Sequence, residues 1–160
     1  MATDAERASL ERKMRALIAH EPLVHYAQVR PYPTRLTWAG LLARFKGGTG
    51  ITLDCSSTFI LLCKWAGLAD PAGRDFNGSG NTVSLWYHLR HYHEPARAKV
   101  GAGVMFGPGT GEHVCMVLEP HPRNPLLFSH GLERGPIAIR LEEEADWHNP
   151  PVTFLSIAAL

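Results

Sequence analysis

The chain has 160 residues, of which 45% are hydrophobic and 19% are charged, a balance that suits one compact domain over residues 1–160. Its formal net charge of +1 excludes the strongly basic surface that is typical of nucleic-acid-binding proteins. The three cysteines, Cys55, Cys63 and Cys115, are an odd number and lack the spacing of a disulfide scaffold. We therefore expect free thiols, a reducing compartment at synthesis and no nucleic-acid partner.

The N-terminal stretch MATDAERASLERKMRALIAH has no apolar segment of the kind found in secretory signal peptides. No apolar run in the sequence is long enough to span a bilayer, so no membrane insertion is expected. The sequence predicts synthesis in the cytoplasm, and a protein of this kind that acts outside a membrane needs something else to deliver it.

The first half of the chain is predicted to be mainly helical. Apolar residues recur at helical spacing from Leu10 to Ile18, Thr3 and Glu6 can form a capping box, and the Pro22 region ends this helix, which occupies residues 1–22. The segment LVHYAQVRPYP is expected to be extended or irregular, and TRLTWAGLLARF to form a short helix that KGGTG ends. The segment VSLWYHLRHYH predicts a further helix.

The run from Cys55 to Ala66 predicts the central helix of the fold, because it is apolar almost all round. Asp54 is well placed as its N-cap and Gly67 as its C-terminal stop. Within this helix, Cys63 lies among large apolar residues and is expected to be an inert core thiol.

The character of the chain changes after residue 100. Five short β-rich runs, VGAGVMF, HVCMVLE, PLLFSH, PIAIRLE and PVTFLSI, are separated by turns rich in glycine, proline and asparagine. Helices in residues 23–99 followed by strands in residues 100–160 predict an α+β fold with an antiparallel sheet.

Cys55 is the first candidate for chemistry, because it opens the predicted central helix. Unpaired N–H groups and the positive end of the helix dipole favour a thiolate at such a position, and the same N–H groups can stabilise an oxyanion. The alternative is a partly buried thiol that happens to begin a helix.

Two histidines follow in the predicted sheet. His113 opens the strand HVCMVLE, where alternation puts it on the same face as Cys115, and His130 ends the next strand. If the two strands form a hairpin through PHPRNP, His130 lies near His113, and a polar neighbour of this kind can fix the imidazole tautomer of a general base. Taken singly, each histidine is also compatible with a surface position after a turn.

Three motifs in this order, LDCSSTF, GEHVCMVLE and LLFSHG, resemble those of the NlpC/P60 family of papain-like cysteine peptidases. That family has a DCS-type turn at the head of a buried helix, an HV dipeptide that opens a strand, and a histidine that closes the next strand. The stretches HYAQVRP, GPGTGEHV and SHGLERGP are similar to those of compact hydrolases from bacteriophages that infect actinobacteria. The resemblance covers residues 25–157.

The resemblance implies a papain-like α+β fold in which the cysteine helix packs on an antiparallel sheet of five to six strands. It implies Cys55 as nucleophile, His113 as general base and His130 as the residue that orients His113, with no metal and no cofactor. It also implies a tyrosine on the oxyanion and substrate side, for which Tyr26 in HYAQVRP is the candidate.

Asp54 and Ser56 flank the cysteine and are further candidates for the oxyanion and substrate side. The sequence departs from the common family pattern at RFKGG, where Phe45 and Lys46 stand in place of a Tyr-x-Trp-Gly-Gly run. Ser57 stands where the family usually has a glycine after DCS.

The function that the resemblance implies is hydrolysis of an amide bond in the stem peptide of bacterial peptidoglycan. The enzyme would be a phage lysin released with the help of a holin, or a cell-wall hydrolase carried in the virion. The alternatives are an amidase, acyltransferase or toxin of the same fold with another substrate, and a non-enzymatic phage tail or assembly protein.

Three further features have less specific interpretations. His88 and His91, followed by His93 and Glu94, have a helical i, i+3 spacing that can bind metal, but a groove wall or a solvated helix face is favoured. The loop DFNGSGNT is predicted to form a rim of the substrate groove. The acidic segment RLEEEADW is predicted to be a solvated turn, and Cys115 a core thiol close to the site.

Overall fold

The protein is described by a computed structural model over residues 1–132 and 135–160, in which it has an α+β fold. The helices are α1 (Asp4–Ala19), α2 (Trp38–Lys46), α3 (Cys55–Trp65), α4 (Thr82–His88) and α5 (Leu141–Ala145). The strands are β1 (Val24–Tyr26), β2 (Ile51–Leu53), β3 (Arg90–Tyr92), β4 (Gly103–Phe106), β5 (His113–Glu119), β6 (Leu126–Ser129), β7 (Ile137–Arg140) and β8 (Val152–Ser156).

The main sheet has six strands in the order β3-β8-β4-β5-β6-β7, and every neighbouring pair is antiparallel. The predicted hairpin between the second and third β-rich runs is confirmed, since β5 pairs with β6 and Met116 lies opposite Phe128. A separate parallel pair joins β1 to β2, the strand that leads directly into α3.

The two faces of the sheet bury different side chains. Val114, Met116 and Phe128 belong to the larger core cluster, which they share with α1 and α3. Cys115 and Val117, which alternate with them along β5, belong to a second cluster on the opposite face. The predicted alternation of β5 is therefore confirmed, and it determines which groups His113 can meet.

The central helix α3 forms as the sequence predicts. Its first nine residues, Cys55–Cys63, are all buried, which fits a helix that is apolar on every side. Asp54 is the N-cap and forms a capping box with Ser57, and Gly67 follows the helix with a positive φ of 89°. The capping box between Thr3 and Glu6 in α1 is also confirmed.

Two local predictions are wrong. The segment VSLWYHLRHYH is helical only to His88, after which Arg90–Tyr92 forms the edge strand β3 and pairs with β8. Tyr92 stacks on Phe154 at 5.4 Å between ring centroids, so pairing and packing against β8 outweigh the local helical pattern. The acidic segment after β7 forms α5, and this helix carries a buried glutamate, Glu144.

Within residues 1–132 and 135–160, none of the helices combines the length and the apolar character that crossing a membrane requires.

Candidate functional site

Cys55 is the first residue of α3, and the turn before the helix holds it in place. The thiol-bearing residue is 8% exposed. The Asp54 carboxylate accepts a hydrogen bond from the backbone N–H of Ser57 at 2.8 Å. The N–H groups of Cys55 and Ser56 belong to the first helical turn, where no intrahelical acceptor exists for them. The helix start therefore presents polar N–H groups beside the sulfur, as the sequence predicts.

An ion pair between a buried carboxylate and a partly exposed guanidinium fixes the Asp54 side of this turn. Arg30 Nη2 lies 2.9 Å from Asp54 Oδ2 and also donates to Ser56 Oγ at 3.1 Å. The Ser56 hydroxyl donates to Asp54 Oδ1 at 3.2 Å. Asp54 and Ser56 thus lie at the site, and their contacts organise the turn around Cys55.

His113, the first residue of β5, is 4% exposed and has a dense set of polar neighbours. Its Nε2 lies 3.0 Å from Ser129 Oγ, 3.2 Å from Cys115 Sγ and 3.2 Å from Glu144 Oε1. The nearby Cys55 side chain also acts to raise the pKa of His113. The predicted Cys55 and His113 are therefore brought together.

Glu144 is the central acceptor of this cluster, and it lies in the segment that the sequence analysis interpreted as a solvated turn. That interpretation is wrong for Glu144, which is 2% exposed. Its Oε1 accepts a hydrogen bond from the Ser129 hydroxyl at 2.7 Å and lies 3.2 Å from the Nε2 atoms of both His113 and His148.

The electrostatics of His113 and Glu144 are those of an ion pair. Burial acts to raise the pKa of Glu144, but hydrogen bonds from His113 and Ser129 and the nearby histidines lower it to about 2. Burial acts to lower the pKa of His113, but contacts with Cys115, Cys55 and Glu144 raise it well above its usual value. Because burial also raises the pKa of Cys115, that thiol stays protonated and Glu144 is the lasting negative partner of His113.

Aromatic stacking fixes the plane of the His113 ring. The ring of His148 lies nearly parallel to it, with 4.4 Å between centroids and 13° between planes. The ring of Phe106 also stacks on His113, with 6.2 Å between centroids. Stacking and the bond to Glu144 together restrict the rotation of the imidazole.

His130 does not take the position that the sequence analysis gave it. Its Nε2 lies 3.2 Å from the carbonyl oxygen of His25 and 3.0 Å from that of Leu53, so the groups that orient His113 are Glu144 and Ser129 instead. The reason is strand alternation: Phe128 faces the α3 side, Ser129 faces the His113 side, and His130 returns to the α3 side. Burial lowers the pKa of His130, and its Nδ1 has no hydrogen-bond partner among the described residues.

Tyr26, the last residue of β1, lies beside the candidate nucleophile. Its side chain lines the same cavity as Cys55, and its ring meets that of His130 edge-on at 5.3 Å between centroids. Burial, together with the nearby Cys55 and Asp54, raises the pKa of Tyr26 to about 12. Tyr26 is therefore a protonated hydroxyl at neutral pH and can donate a hydrogen bond at the sulfur side of the site.

A cavity of about 270 Å³ opens onto Cys55. Among the residues that line it are Tyr26, Gln28, Arg30, Cys55, Asn81 and Glu112. Asn81 belongs to the DFNGSGNT loop, so the prediction that this loop forms a rim of the groove agrees with the structure. The cavity gives an extended ligand access to the Cys55 side chain.

The other two cysteines differ from Cys55 in their surroundings. Cys63 is fully buried, and burial raises its pKa, as expected for an inert core thiol. Cys115 is also buried, but its sulfur lies 3.2 Å from His113 Nε2 and donates to Glu144 Oε1 at 3.6 Å. Cys115 is therefore part of the polar cluster.

A metal site at His88 and His91 is not supported by the fold, because the two residues are not on one helix. His91 lies in β3, and its Nε2 lies 2.7 Å from the Trp86 carbonyl oxygen. The one group of candidate metal-ligating side chains found in the described part of the chain is His113, Cys115 and Glu144, whose ligand atoms lie within 4.8 Å of one another.

The sequence carries a signal for Ser129 but a weak one for Glu144. Alternation along LLFSH puts Ser129 on the same face as His113 once the hairpin register is assumed. Glu144 follows Leu141 by three residues, a spacing that puts both on one helical face, and Leu141 is buried. Only the packing of α5 onto the sheet identifies that face as the inner one.

Comparison with known proteins gave no match: no family model, no curated protein and no solved structure is similar to this chain.

Proposed function

We propose that this protein is a papain-like cysteine hydrolase of the NlpC/P60 type that cleaves an amide bond in the stem peptide of bacterial peptidoglycan. The observation that carries the proposal is the contact of Cys55, at the start of a buried helix, with a histidine that is paired to a buried carboxylate. A nucleophile, a base and a group that orients the base are the three parts that thiol acyl transfer needs.

The first step is attack of the Cys55 sulfur on the substrate carbonyl. In the reacting state the Cys55 proton resides on His113, which agrees with the raised pKa of His113, and a bond forms between the sulfur and the carbonyl carbon as the carbonyl oxygen becomes an oxyanion. Because Nε2 of His113 faces Glu144, Nδ1 is the nitrogen that remains for this proton exchange. Glu144 stabilises the imidazolium that results.

The oxyanion can be held by groups that lie beside the sulfur. The first-turn N–H groups of α3 are free of intrahelical acceptors, and the Tyr26 hydroxyl is a protonated donor in contact with Cys55. His113 then gives its proton to the leaving amine, the C–N bond breaks, and a thioester to Cys55 remains. Water, deprotonated by His113, hydrolyses the thioester and restores the thiol.

The substrate class rests on the three motifs that resemble the NlpC/P60 family, together with the open cavity at Cys55. That cavity contains both a cationic and an anionic side chain, Arg30 and Glu112, beside Cys55. A stem peptide, which carries carboxylates and amines, suits such a lining.

Comparison of wild type with Cys55→Ala on purified actinobacterial sacculi tests the proposal. We expect wild type to generate new peptide ends, detected by mass spectrometry, and Cys55→Ala to lower their rate of formation by about 10³-fold or more. Cys63→Ala is the matched control, because Cys63 is buried away from the cavity and its loss leaves the nucleophile in place.

Equal release by wild type and Cys55→Ala would contradict the mechanism. If neither protein releases new ends but Cys55 alone is rapidly alkylated, the substrate is not peptidoglycan, and the amidase, acyltransferase or toxin alternative gains support. If neither releases ends and Cys55 reacts no faster than a free thiol, a non-enzymatic role is favoured.

A further inference from the structure

Four donor atoms surround a single point in the cluster behind His113. They are Nε2 of His113, Sγ of Cys115, Oγ of Ser129 and Oε1 of Glu144. From Nε2, the oxygen of Ser129 lies at 3.0 Å, the sulfur at 3.2 Å and the carboxylate oxygen at 3.2 Å. From Oε1, the hydroxyl of Ser129 lies at 2.7 Å and the sulfur at 3.6 Å.

These are five of the six edges of a small tetrahedron. Zinc binds nitrogen and oxygen at about 2.0–2.2 Å and sulfur at about 2.3 Å in tetrahedral geometry, which sets neighbouring ligand atoms about 3.3–3.6 Å apart. The distances from Nε2 of His113 to the Cys115 sulfur and to the Glu144 oxygen lie close to this range. So does the distance between that sulfur and that oxygen. Only the Ser129 hydroxyl is nearer to Glu144 than a metal ligand would be, and water can replace it as fourth ligand.

The polar contacts of this cluster converge on two atoms, Nε2 of His113 and Oε1 of Glu144. Nε2 of His113 carries at most one proton but has three heteroatom neighbours within 3.2 Å. Each of the four residues is at least nine-tenths buried, so a cation bound among them would be shielded from bulk water. One cation at the centre would contact all of them at once.

The charge balance also suits a divalent ion. Zn²⁺ displaces the Nε2 proton of His113 and the thiol proton of Cys115, and both protons leave to solvent. The ion therefore adds two positive charges and removes two, so the buried site keeps the net charge it had. A nitrogen, a thiolate and a carboxylate are the ligand types that zinc prefers.

We propose that His113, Cys115 and Glu144 form a binding site for Zn²⁺ and that its occupation switches off the thiol chemistry at Cys55. A metal on Nε2 would take the place of the direct contact between His113 and Glu144, the group proposed to orient the imidazole. The inhibitory effect rests on the proposed function, whereas the binding itself does not.

The binding is tested by titrating Co²⁺ into the reduced full chain and recording the thiolate-to-cobalt charge-transfer absorption. We expect a band that saturates at one ion per chain and disappears when Zn²⁺ is added. Cys55→Ala should keep the band, and Cys115→Ala should lose it. Cys63→Ala is the matched control and should keep it, because Cys63 lies in the apolar core.

Two variants protect the test against loss of folding. Circular dichroism of Cys115→Ala and of the closer isostere Cys115→Ser establishes that each chain is folded before titration. Glu144→Gln keeps the thiol but removes the anionic oxygen, and we expect it to weaken Co²⁺ binding by about tenfold or more.

The proposal fails if wild type gives no band, or if Cys55→Ala loses the band while folded Cys115→Ala keeps it. The second result would assign the metal to the nucleophile. Because the absorption is read without substrate, these outcomes are independent of whether the protein hydrolyses peptidoglycan. With the band established, loss of Cys55-dependent release on adding one equivalent of Zn²⁺ tests the inhibitory effect.

Discussion

The two faces of the sheet present two buried histidines in opposite electrostatic states. On the face covered by α5, His113 meets a carboxylate, a hydroxyl and a thiol. On the face covered by α3, His130 meets two backbone carbonyl oxygens. The exposed fractions are 4% and 2%, so the two rings are equally removed from water, yet the pKa of His113 is raised and that of His130 is lowered.

The opposite pKa shifts of the two histidines come from their different polar neighbours. Burial opposes the charged form of both imidazoles, and neutral carbonyl groups offset little of that cost. For His113, contacts with Cys115, Cys55 and Glu144 reverse the balance, and Glu144 supplies a negative charge at hydrogen-bonding distance. A histidine suited to carry a proton in catalysis and one suited to hold backbone in place thus arise in the same sheet.

The largest expected effect separates the roles of the two histidines. His113→Ala should lower the rate of peptide release by about 10²–10⁴-fold, because it removes the proposed general base. His130→Ala should lower the free energy of unfolding by about 1–3 kcal/mol, because it leaves two carbonyl oxygens without their donor. Kinetics on sacculi and urea unfolding followed by circular dichroism measure the two effects.

Similar behaviour of His113→Ala and His130→Ala would contradict the assignment of different roles to the two histidines. In particular, the His113 pKa measured by NMR should stay high in folded His130→Ala. A fall of that pKa would indicate that His130 orients the His113 imidazole, as the sequence resemblance implies.

The next effect concerns the stability that the ion pair contributes. Glu144→Gln should lower the free energy of unfolding by about 3 kcal/mol, the equivalent of moving a carboxyl pKa from 4.5 to about 2. It should also lower the pKa of His113, since the main lasting anion is gone. Glu142→Gln is the matched control, because it makes the same substitution on an exposed position of α5.

The pH dependence of this contribution follows from the directions of the two shifts. The pKa of Glu144 is lowered, so its contribution is present above pH 4.5 and is lost as pH falls toward 2. The pKa of His113 is raised, so its contribution is present below pH 6.5 and is lost as pH rises through the folded value. The stability difference between wild type and Glu144→Gln should therefore be largest between about pH 4.5 and pH 6.5. A difference that does not fall below and above this range would contradict the ion pair.

Much of the fold was predictable because its signals are local. The apolar run after Cys55, the Asp54 cap and the five β-rich segments each depend on residues close in sequence. The sixth strand, Arg90–Tyr92, was not predictable in the same way, because its conformation depends on pairing with β8 more than sixty residues later.

The site was predictable where a residue's own element determines its position. Cys55 opens a helix and His113 opens a strand, and both positions follow from the sequence. The partner of His113 did not follow, because Glu144 lies in a short helix whose inner face is set by packing on the sheet. His130 was preferred for its residue type, although alternation already favoured Ser129 as the neighbour of His113.

The smallest expected effect tests how much the Ser129 hydroxyl contributes on the His113 face of the sheet. Ser129→Ala removes the 2.7 Å bond to Glu144 and should lower the free energy of unfolding by about 1 kcal/mol. Because that bond helps to lower the pKa of Glu144, the pKa should rise in the variant. Ser84→Ala is the matched control, since it costs a similar amount of stability by removing a partner in the α4 capping box. NMR titration of His113 should distinguish them: a shift in Ser84→Ala as large as in Ser129→Ala would mean that the imidazole responds to global stability and not to the Ser129–Glu144 bond.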